Sequence, residues 1–250
     1  MDNCNQQVEK FNIPYFDLFG DSNTIIQWDK LFIQKEWQLF FNKIHPAIPS
    51  FVNELKDAKL KYILDLGCGI GRHSIYLAKK GFLVSAFDKA EYGLKLTKEL
   101  LEFQDLKADL KNHDINCFPY PYSENYFDAV ISINVLYHTT SVNGLKAIKE
   151  IKRILKPGGY ALFTLLSIYD PEYGNGLEIE NNTFIFSHGY EKGVVHHFYN
   201  ENEVKKIVSL FDESFYEHKI LERAPNGEKG SYWIIRVKNP NLKMEGKNDF

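Results

Sequence analysis

A carboxylate followed by three alternating glycines is the group of residues with the clearest capacity for chemistry in this sequence. It is the segment DLGCGIG, residues 65–71. Glycine lacks a Cβ, so the backbone can turn tightly and approach a ligand closely. The apolar run 62–66 is typical of a buried strand, and residues 72–80 have helical periodicity. Because parallel α/β sheets bind ligands beyond the carboxyl ends of their strands, this turn is a predicted ligand site.

The charges around the glycines indicate which ligand fits. Asp65 precedes the first glycine, and Asp88 ends the next strand-like run, roughly 20 positions after Gly67. A pyrophosphate loop would read G-x-G-x-x-G, and Asp65 would repel phosphate but attract an ammonium group. A carboxylate in the position of Asp88 can accept both ribose hydroxyls. A ligand with a ribose and an amine but no pyrophosphate is therefore expected, which fits S-adenosylmethionine and not NAD.

The elements that must position this loop alternate between strands and helices. Such alternation predicts a parallel sheet with helices on both faces. The predicted strands are 62–66, 82–88, 106–110, 127–135 and 160–166, and the predicted helices between them are 72–80, 90–103 and 141–155.

The outer segments have other patterns. Residues 1–58 are expected to form a helical lid, with one amphipathic helix over 24–44 and a second over 47–58, before the core 59–166. The Gly-, Asn- and His-rich stretch 167–199 is predicted to be a long insertion without regular structure, forming a substrate lid. A helix over 200–211 and strands over 214–223 and 231–238 complete the predicted domain, and 239–250 is expected to be a flexible tail.

Length and composition limit the function. The chain has 250 residues, 44% of them hydrophobic and 25% charged, which is typical of one large globular domain, expected over 1–238. The formal net charge of -3 gives no overall attraction for nucleic acid or an anionic membrane. No secretory leader or membrane-spanning apolar run is visible, and the three separated cysteines indicate neither disulfides nor zinc. A cytoplasmic protein without nucleic-acid or membrane partners is expected.

With these motifs in order, residues 60–166 resemble the core of the class I S-adenosylmethionine-dependent methyltransferases, in their small-molecule branch. The resemblance implies a Rossmann-like doubly wound α/β fold, with a seven-stranded, mostly parallel sheet, a C-terminal antiparallel hairpin and added N-terminal helices. Residues 71–78 are more weakly similar to tellurite-resistance and thiol-methylating enzymes. The matching segments are DLGCGIG (65–71), Asp88, HDI (113–115) with Phe118-Pro119, FDAVISINVLYH (127–138) and RILKPGG (153–159).

The resemblance also implies which residues hold S-adenosylmethionine, whose demethylated product is S-adenosylhomocysteine. Asp65 would face the methionine moiety, Asp88 the ribose and Asp114 the adenine amino group, although Asp109 lies in a similar sequence and competes with Asp114. The full implied set is Asp65, Gly67, Cys68, Gly69, Arg72, Asp88, Lys89, Asp114, Ile115, Asn134 and Val135.

The methyl acceptor is predicted by exclusion. The motifs for amide, adenine, cytosine and guanidinium substrates are absent, which leaves small molecules such as thiols, chalcogenides, amines and hydroxyls. His138, just past the fourth strand of the core, and His196 or His197 are the candidate catalytic residues. No metal site is expected, since the two neighbouring histidines cannot ligate from one helix face and no carboxylate or cysteine has ligand spacing.

The high aromatic content, 15% of residues, suggests a pocket lined with rings. An apolar lid would exclude water and present ring faces to the sulfonium. The candidate lining residues are Tyr15, Phe16, Trp28, Tyr137 and Tyr169. An RNA or protein methyltransferase, or a cofactor-binding protein without catalysis, remains an alternative at this stage.

Overall fold

The computed structural model describes residues 26–241. This part of the chain forms seven helices and ten strands. The helices are α1 Ile26–Ile33, α2 Lys35–Phe41, α3 Ala47–Asp57, α4 Arg72–Lys79, α5 Glu91–Phe103, α6 Ser141–Ile154 and α7 Glu201–Val208. The strands are β1 Tyr62–Leu66, β2 Leu83–Asp88, β3 Asp109–Asn112, β4 Phe127–Ser132, β5 Leu155–Leu166, β6 Leu177–Glu180, β7 Thr183–Ile185, β8 Val195–His197, β9 Glu213–Glu222 and β10 Lys229–Lys238.

The main sheet has seven strands in the order β3-β2-β1-β4-β5-β10-β9. The first five strands of that order pair in parallel. β10 is antiparallel to both β5 and β9, so the last two strands form a hairpin at one side of the sheet. This arrangement confirms the predicted Rossmann-like fold, and it places the carboxyl ends of β1 to β5 at one edge.

Both faces of the sheet are covered by helices, which is why its central strands are apolar along their length. On one face, Ile63 of β1 packs with Phe51 and Leu55 of α3. On the other, Leu64 and Leu66 of β1 belong to a cluster that includes residues of α6 and α7. With both faces occupied, the carboxyl edge is the part of the sheet left for a ligand.

The N-terminal segment differs from the single helix predicted over 24–44. Gln34 has an extended backbone, with φ -80° and ψ 127°, and separates α1 from α2. The Gln38 side chain donates a hydrogen bond to the Phe32 carbonyl at 2.7 Å, which satisfies a carbonyl at the end of α1. The break leaves two short helices whose rings meet, with 5.6 Å between the ring centroids of Phe32 and Phe41.

Several boundaries in the core also shift. β3 overlaps the predicted strand 106–110 but begins at Asp109 and ends at Asn112. β4 ends at Ser132, before the predicted end at 135, and β5 begins at Leu155, before the predicted start at 160. The early ending of β4 has a functional consequence, because residues 133–138 are then free to form a loop at the carboxyl edge.

The insertion 167–199 is not a structureless loop as predicted. It contains β6, β7 and β8, which form a separate antiparallel sheet in the order β6-β7-β8. An isolated bridge between Ser167 and Tyr199 joins the two ends of the insertion. This small sheet is therefore held beside the carboxyl end of β5.

The predicted tail begins with an ordered residue. Asn239 is buried, and its side-chain amide donates to the carbonyls of Lys152, Leu155 and Lys156 at the end of α6. The prediction of a flexible tail from 239 onward is wrong for this residue, because those carbonyls need a partner. Within residues 26–241, no helix combines the length and apolarity that crossing a bilayer requires.

Candidate functional site

The glycine loop between β1 and α4 is shaped by a close approach to the loop after β4. Gly67 has φ +75°, and a Cβ added there would lie 2.5 Å from Cγ1 of Val135 and closer still to Cγ2. The amides of Gly67 and Cys68 both donate to the Phe87 carbonyl, at 2.9 and 3.1 Å. Only glycine combines this left-handed conformation with this contact. The loop is thus clamped between the ends of β2 and β4.

Asp88 ends β2 and supports the loop directly. Its Oδ2 accepts from the Gly69 amide at 2.8 Å, and its Oδ1 accepts from the Ala90 amide at 2.9 Å. A carboxylate offers about four acceptor positions. Two of them are therefore left for the two ribose hydroxyls that the sequence predicts here.

Asp65 and Arg72 place opposite charges beside the loop. Asp65 is 1% exposed and accepts a 2.6 Å hydrogen bond from the Ser74 hydroxyl. Burial raises the pKa of Asp65 to about 6, and the Arg72 charge partly opposes this rise. Burial lowers the pKa of Arg72 to about 10, so its guanidinium stays cationic near neutral pH. An amino-acid group, with an ammonium and a carboxylate, complements this pair.

The opposite end of the site lies beyond β3. Asp114 follows that strand, and its Oδ2 lies 3.7 Å from the Lys89 ammonium, while its Oδ1 accepts from the Asn116 amide. Ile115 is buried beside it. Asp109, the competing candidate, lies inside β3 in register with Ser85 and not at the carboxyl edge. Strand position therefore favours Asp114 for the adenine contact.

Asn134 and Val135 form the wall opposite these carboxylates. Asn134 has φ +61°, and its amide donates to the Thr164 hydroxyl at 2.8 Å. This bond to β5 holds the loop after β4 against Gly67. The cradle at the glycines, the remaining acceptor positions of Asp88 and the charges of Asp65 and Arg72 together fit S-adenosylmethionine.

Helix α1 covers this loop. The Phe32 ring would be 3.2 Å from a Cβ on Gly69, and Asp29 of α1 accepts from the Tyr92 amide of α5 at 3.0 Å. The Trp28 ring lies 4.8 Å from the His138 ring. Of the predicted lining residues, Trp28 is thus brought to the site, whereas Tyr15 and Phe16 lie outside the described residues.

His138 belongs to a buried cluster with two residues of the insertion. Its Nε2 lies 4.0 Å from Glu191 Oε1, and His196 Nε2 lies 3.1 Å from Glu191 Oε2. Burial lowers the pKa of His138 to about 3, with the nearby His196 adding to the effect. Burial opposes ionisation of Glu191, but His196 lowers its pKa to about 2. A neutral imidazole and an anionic carboxylate therefore meet at the end of β4.

The other two predicted lining residues, Tyr137 and Tyr169, lie in different places, one beside this cluster and one at the surface. Tyr137 is buried, and its ring lies 4.3 Å from that of His138. Tyr169 is 67% exposed and packs on His218 of β9, so the prediction that it lines the pocket is wrong. Its amide is bonded to the Ser167 hydroxyl, which fixes the chain as it leaves β5 on the outer side.

His196 and His197 point in opposite directions because neighbouring side chains of a strand alternate between faces. His196 faces His138, with 4.7 Å between ring centroids. His197 is bonded through Nδ1 to Thr183 and through Nε2 to Glu203, at 2.7 and 3.2 Å. Of the two histidines, His196 is therefore the one that lies beside His138.

Sequence reasoning missed Glu191 and Arg223. Glu191 lies in an irregular stretch and has no spacing relative to His138 that would indicate a contact. Arg223, at the end of β9, bonds Asp170 Oδ1 at 2.7 Å, and both side chains are buried. Its charge contributes to lowering the pKa of Glu191. The strand alternation at 195–197 is a local signal that separates His196 from His197, but only the pairing of β7 with β8 decides which of the two faces His138.

Comparison with known proteins agrees with this architecture. A family model described as "Methyltransferase domain" matches residues 63–159. A tRNA (carboxymethyluridine(34)-5-O)-methyltransferase of Arabidopsis thaliana is 34% identical over 121 residues, 48% of this chain and 27% of the relative. A ubiquinone biosynthesis O-methyltransferase of Coxiella burnetii is 28% identical over 124 residues, 50% of this chain and 51% of the relative.

Among solved structures, a SAM-dependent methyltransferase from Methanosarcina mazei superposes with a TM-score of 0.65. It is 23% identical and covers 80% of this chain and 99% of its own, so the likeness concerns the fold. The chain spans between about a quarter and a half of the two curated relatives, as their coverage of 27% and 51% shows. Residues 63–159, which match the family model, contain the glycine loop, Asp88 and the loop after β4.

Proposed function

We propose that the chain is a class I S-adenosylmethionine-dependent methyltransferase that transfers a methyl group to a small-molecule nucleophile. Its residues 63–159 match the family model described as "Methyltransferase domain". The observation that carries this proposal is the set of charges along the carboxyl edge. Asp65 and Asp88 lie at the carboxyl ends of β1 and β2, and Asp114 comes just after the neighbouring β3. Arg72 begins α4, the helix after β1. Each charge matches one part of the cofactor.

The acceptor would bind between α1 and the insertion, against His138. This ring lies under Trp28 and beside Tyr137, with centroid separations of 4.8 and 4.3 Å. The surroundings are buried and aromatic, which suits a small organic substrate more than a polymer. The names of the two relatives refer to ubiquinone biosynthesis and to tRNA. The net charge of -3 favours a small molecule over a nucleic acid as the substrate of this chain.

When bound, S-adenosylmethionine supplies a methyl carbon that its sulfonium already activates. The protein therefore has to align the two reactants and keep water out. Val135 and Gly67 would fix the donor end, and Phe32 and Trp28 would close the site from above. His138, neutral near pH 7 because burial lowers its pKa to about 3, would orient the acceptor heteroatom by a hydrogen bond.

Calorimetry with S-adenosylhomocysteine tests the cofactor site. Asp88→Ala should weaken binding by about 2 kcal/mol, or roughly 30-fold, because two ribose hydrogen bonds of about 1 kcal/mol each are lost. Asp109→Ala is the matched control, since Asp109 is an exposed carboxylate inside β3. It should leave the dissociation constant unchanged.

Two results would contradict the proposal. One is the absence of S-adenosylhomocysteine binding by the unmodified chain at high micromolar concentration. The other is an equal loss of affinity in both aspartate variants. Circular dichroism of each variant shows whether the fold is retained, which matters because Asp88 also bonds the Gly69 amide.

A further inference from the structure

We infer that His138, Glu191 and His196 form a binding site for a divalent transition-metal ion of the zinc class, in the acceptor pocket. One ring nitrogen of each histidine and one oxygen of the glutamate lie within 4.8 Å of one another. Two imidazoles and one carboxylate are a ligand set used by catalytic zinc sites, which leave a further position open. The role of that open position rests on the proposed methyl transfer, whereas the ion binding itself does not.

The orientation of His196 carries the inference furthest. Its Nδ1 lies 3.2 Å from the Val194 carbonyl, and its Nε2 lies 3.1 Å from Glu191 Oε2. Both partners are acceptors, and a ring nitrogen without a proton can offer its lone pair to a metal ion. With Nδ1 bonded to the carbonyl, Nε2 is directed at a carboxylate oxygen. A cation between these two atoms would be attracted by both.

The surroundings hold His196 in the position of a ligand. A backbone carbonyl is one of the partners that fix the tautomer of a metal-binding histidine through its other ring nitrogen. The Phe186 ring stacks on His196 at 3.7 Å with an interplanar angle of 13°, which fixes the plane of the imidazole. Burial is complete at His196 and nine-tenths at His138. These side chains have little freedom to lose on binding an ion.

Distances require a modest contraction. Ligands of a tetrahedral zinc ion with bonds of 2.0–2.1 Å lie about 3.4 Å from one another. The pair formed by His196 and Glu191 is already at 3.1 Å, and His138 is 4.0 Å from the same carboxylate. These two distances run to different oxygens of Glu191, and the three ligand atoms lie within 4.8 Å of one another. His138 lies in the loop after β4, and the widest separation has to close by up to about 1.4 Å.

The charge of the loaded site indicates the class of acceptor. A divalent ion with one carboxylate and two neutral imidazoles has a net charge of +1, and the buried Arg223–Asp170 pair adds none. An uncompensated charge in a buried site is costly. An acceptor that binds as an anion, a thiol or a phenol that loses its proton, restores neutrality at the open position.

For a thiol the transfer is balanced as follows. The S–H proton passes to solvent when the thiol binds, and a sulfur lone pair forms the new bond to the methyl carbon. The bond between that carbon and the sulfonium breaks, and its electron pair stays on the departing sulfur. The products are a thioether and S-adenosylhomocysteine.

The test uses the full chain after treatment with a chelator. Zinc chloride is titrated by calorimetry, and cobalt chloride by visible absorption. We expect one ion per chain, with the intense visible bands of four-coordinate cobalt. His196→Gln and Glu191→Gln should each weaken zinc binding by at least ~100-fold, more than the loss of an outer-shell partner. His197→Gln is the matched control, because it changes the same residue type on the opposite face of β8.

The outcomes separate the inference from the proposed function. No stoichiometric ion on the unmodified chain, or cobalt spectra of a six-coordinate surface site, would overturn the inference, even if the glutamine variants fail to fold. Equal losses in all three variants would overturn it as well. Binding of S-adenosylhomocysteine, measured on the same samples, reports on the cofactor site alone. The metal-site inference and the proposed function can therefore be refuted independently of each other.

Two acceptor probes distinguish the sources of the anion. An aliphatic thiol added to the cobalt-loaded chain should produce a sulfur-to-cobalt charge-transfer band in the near ultraviolet, and a phenol should shift the visible bands without it. A cobalt spectrum that neither probe changes would refute an open position facing the acceptor.

Discussion

The contact between Gly67 and Val135 gives a sharp test of how the cofactor loop is built. Gly67→Ala adds a methyl group to a residue with φ +75°, in overlap with both Val135 methyl groups. Gly81→Ala is the matched control, because Gly81 has φ +87° and nothing lies within 4 Å of its added Cβ. Both variants impose the same unfavourable backbone, and only the first imposes a collision.

The structure sets the expected magnitudes. A left-handed conformation costs a residue with a Cβ about 1–2 kcal/mol, which is all that Gly81→Ala should lose in free energy of unfolding. Overpacking a tight contact adds about 1–3 kcal/mol, so Gly67→Ala should lose about 2–5 kcal/mol. A domain with an ordinary free energy of unfolding, about 5–15 kcal/mol, stays folded after this loss when its own stability lies above the low end of that range.

Urea denaturation followed by circular dichroism measures the free energy of unfolding, and calorimetry measures the affinity for S-adenosylhomocysteine. Gly67→Ala should lower both, and Gly81→Ala only the first. Adding Val135→Ala removes the two colliding methyl groups. A double-mutant cycle should then show a coupling of about 1–3 kcal/mol that favours the double variant. Equal destabilisation by Gly67→Ala and Gly81→Ala, or zero coupling, would refute the close approach.

Two further predictions concern pH and the aromatic cover. Burial raises the pKa of Asp65 to about 6, so its carboxylate is unavailable to an ammonium group below that value. Affinity for S-adenosylhomocysteine should therefore rise by up to ~10-fold per pH unit below 6 and level off above it. As the pH rises through the same range, the free energy of unfolding of the ligand-free chain should fall, because the folded state holds the Asp65 proton more tightly than the unfolded state. In Asp65→Asn, the affinity measured by calorimetry and the stability measured in urea should both lose this dependence on pH. Trp28→Leu removes the ring contact with His138 and should raise the KM for the acceptor ~3–10-fold, whereas the control Tyr169→Leu should leave the KM unchanged. Equal steady-state constants for the two variants would contradict this prediction.

Much of the cofactor site was predictable because its signals are local. The sequence places Asp65, Gly67 and Asp88 at strand ends, and parallel strands bring their carboxyl ends to one edge whatever lies elsewhere in the chain. The same rule separates Asp114 from Asp109, once the register shows that Asp109 pairs inside β3 with Ser85. The sequence placed that strand a few residues too early, so both aspartates remained candidates.

The cluster of His138, Glu191 and His196 was less predictable because it depends on contacts between distant segments. His138 and His196 could be named as candidates, since one follows β4 and the other precedes an aromatic pair. Glu191 could not, because neither periodicity nor spacing links it to them. The break at Gln34 was also missed, and it decides which rings of the N-terminal segment cover the glycine loop.

By itself, then, the sequence determined the Rossmann-like sheet, its glycine loop and the carboxylates along its edge, since each follows from patterns within one strand–turn–helix unit. Only the tertiary structure decided that the insertion folds as an antiparallel sheet and carries Glu191 and His196 to His138. Alternation along β8 sends His196 toward the site and His197 away from it. The direction of that alternation depends on pairing between β7 and β8, a long-range choice that no local pattern encodes.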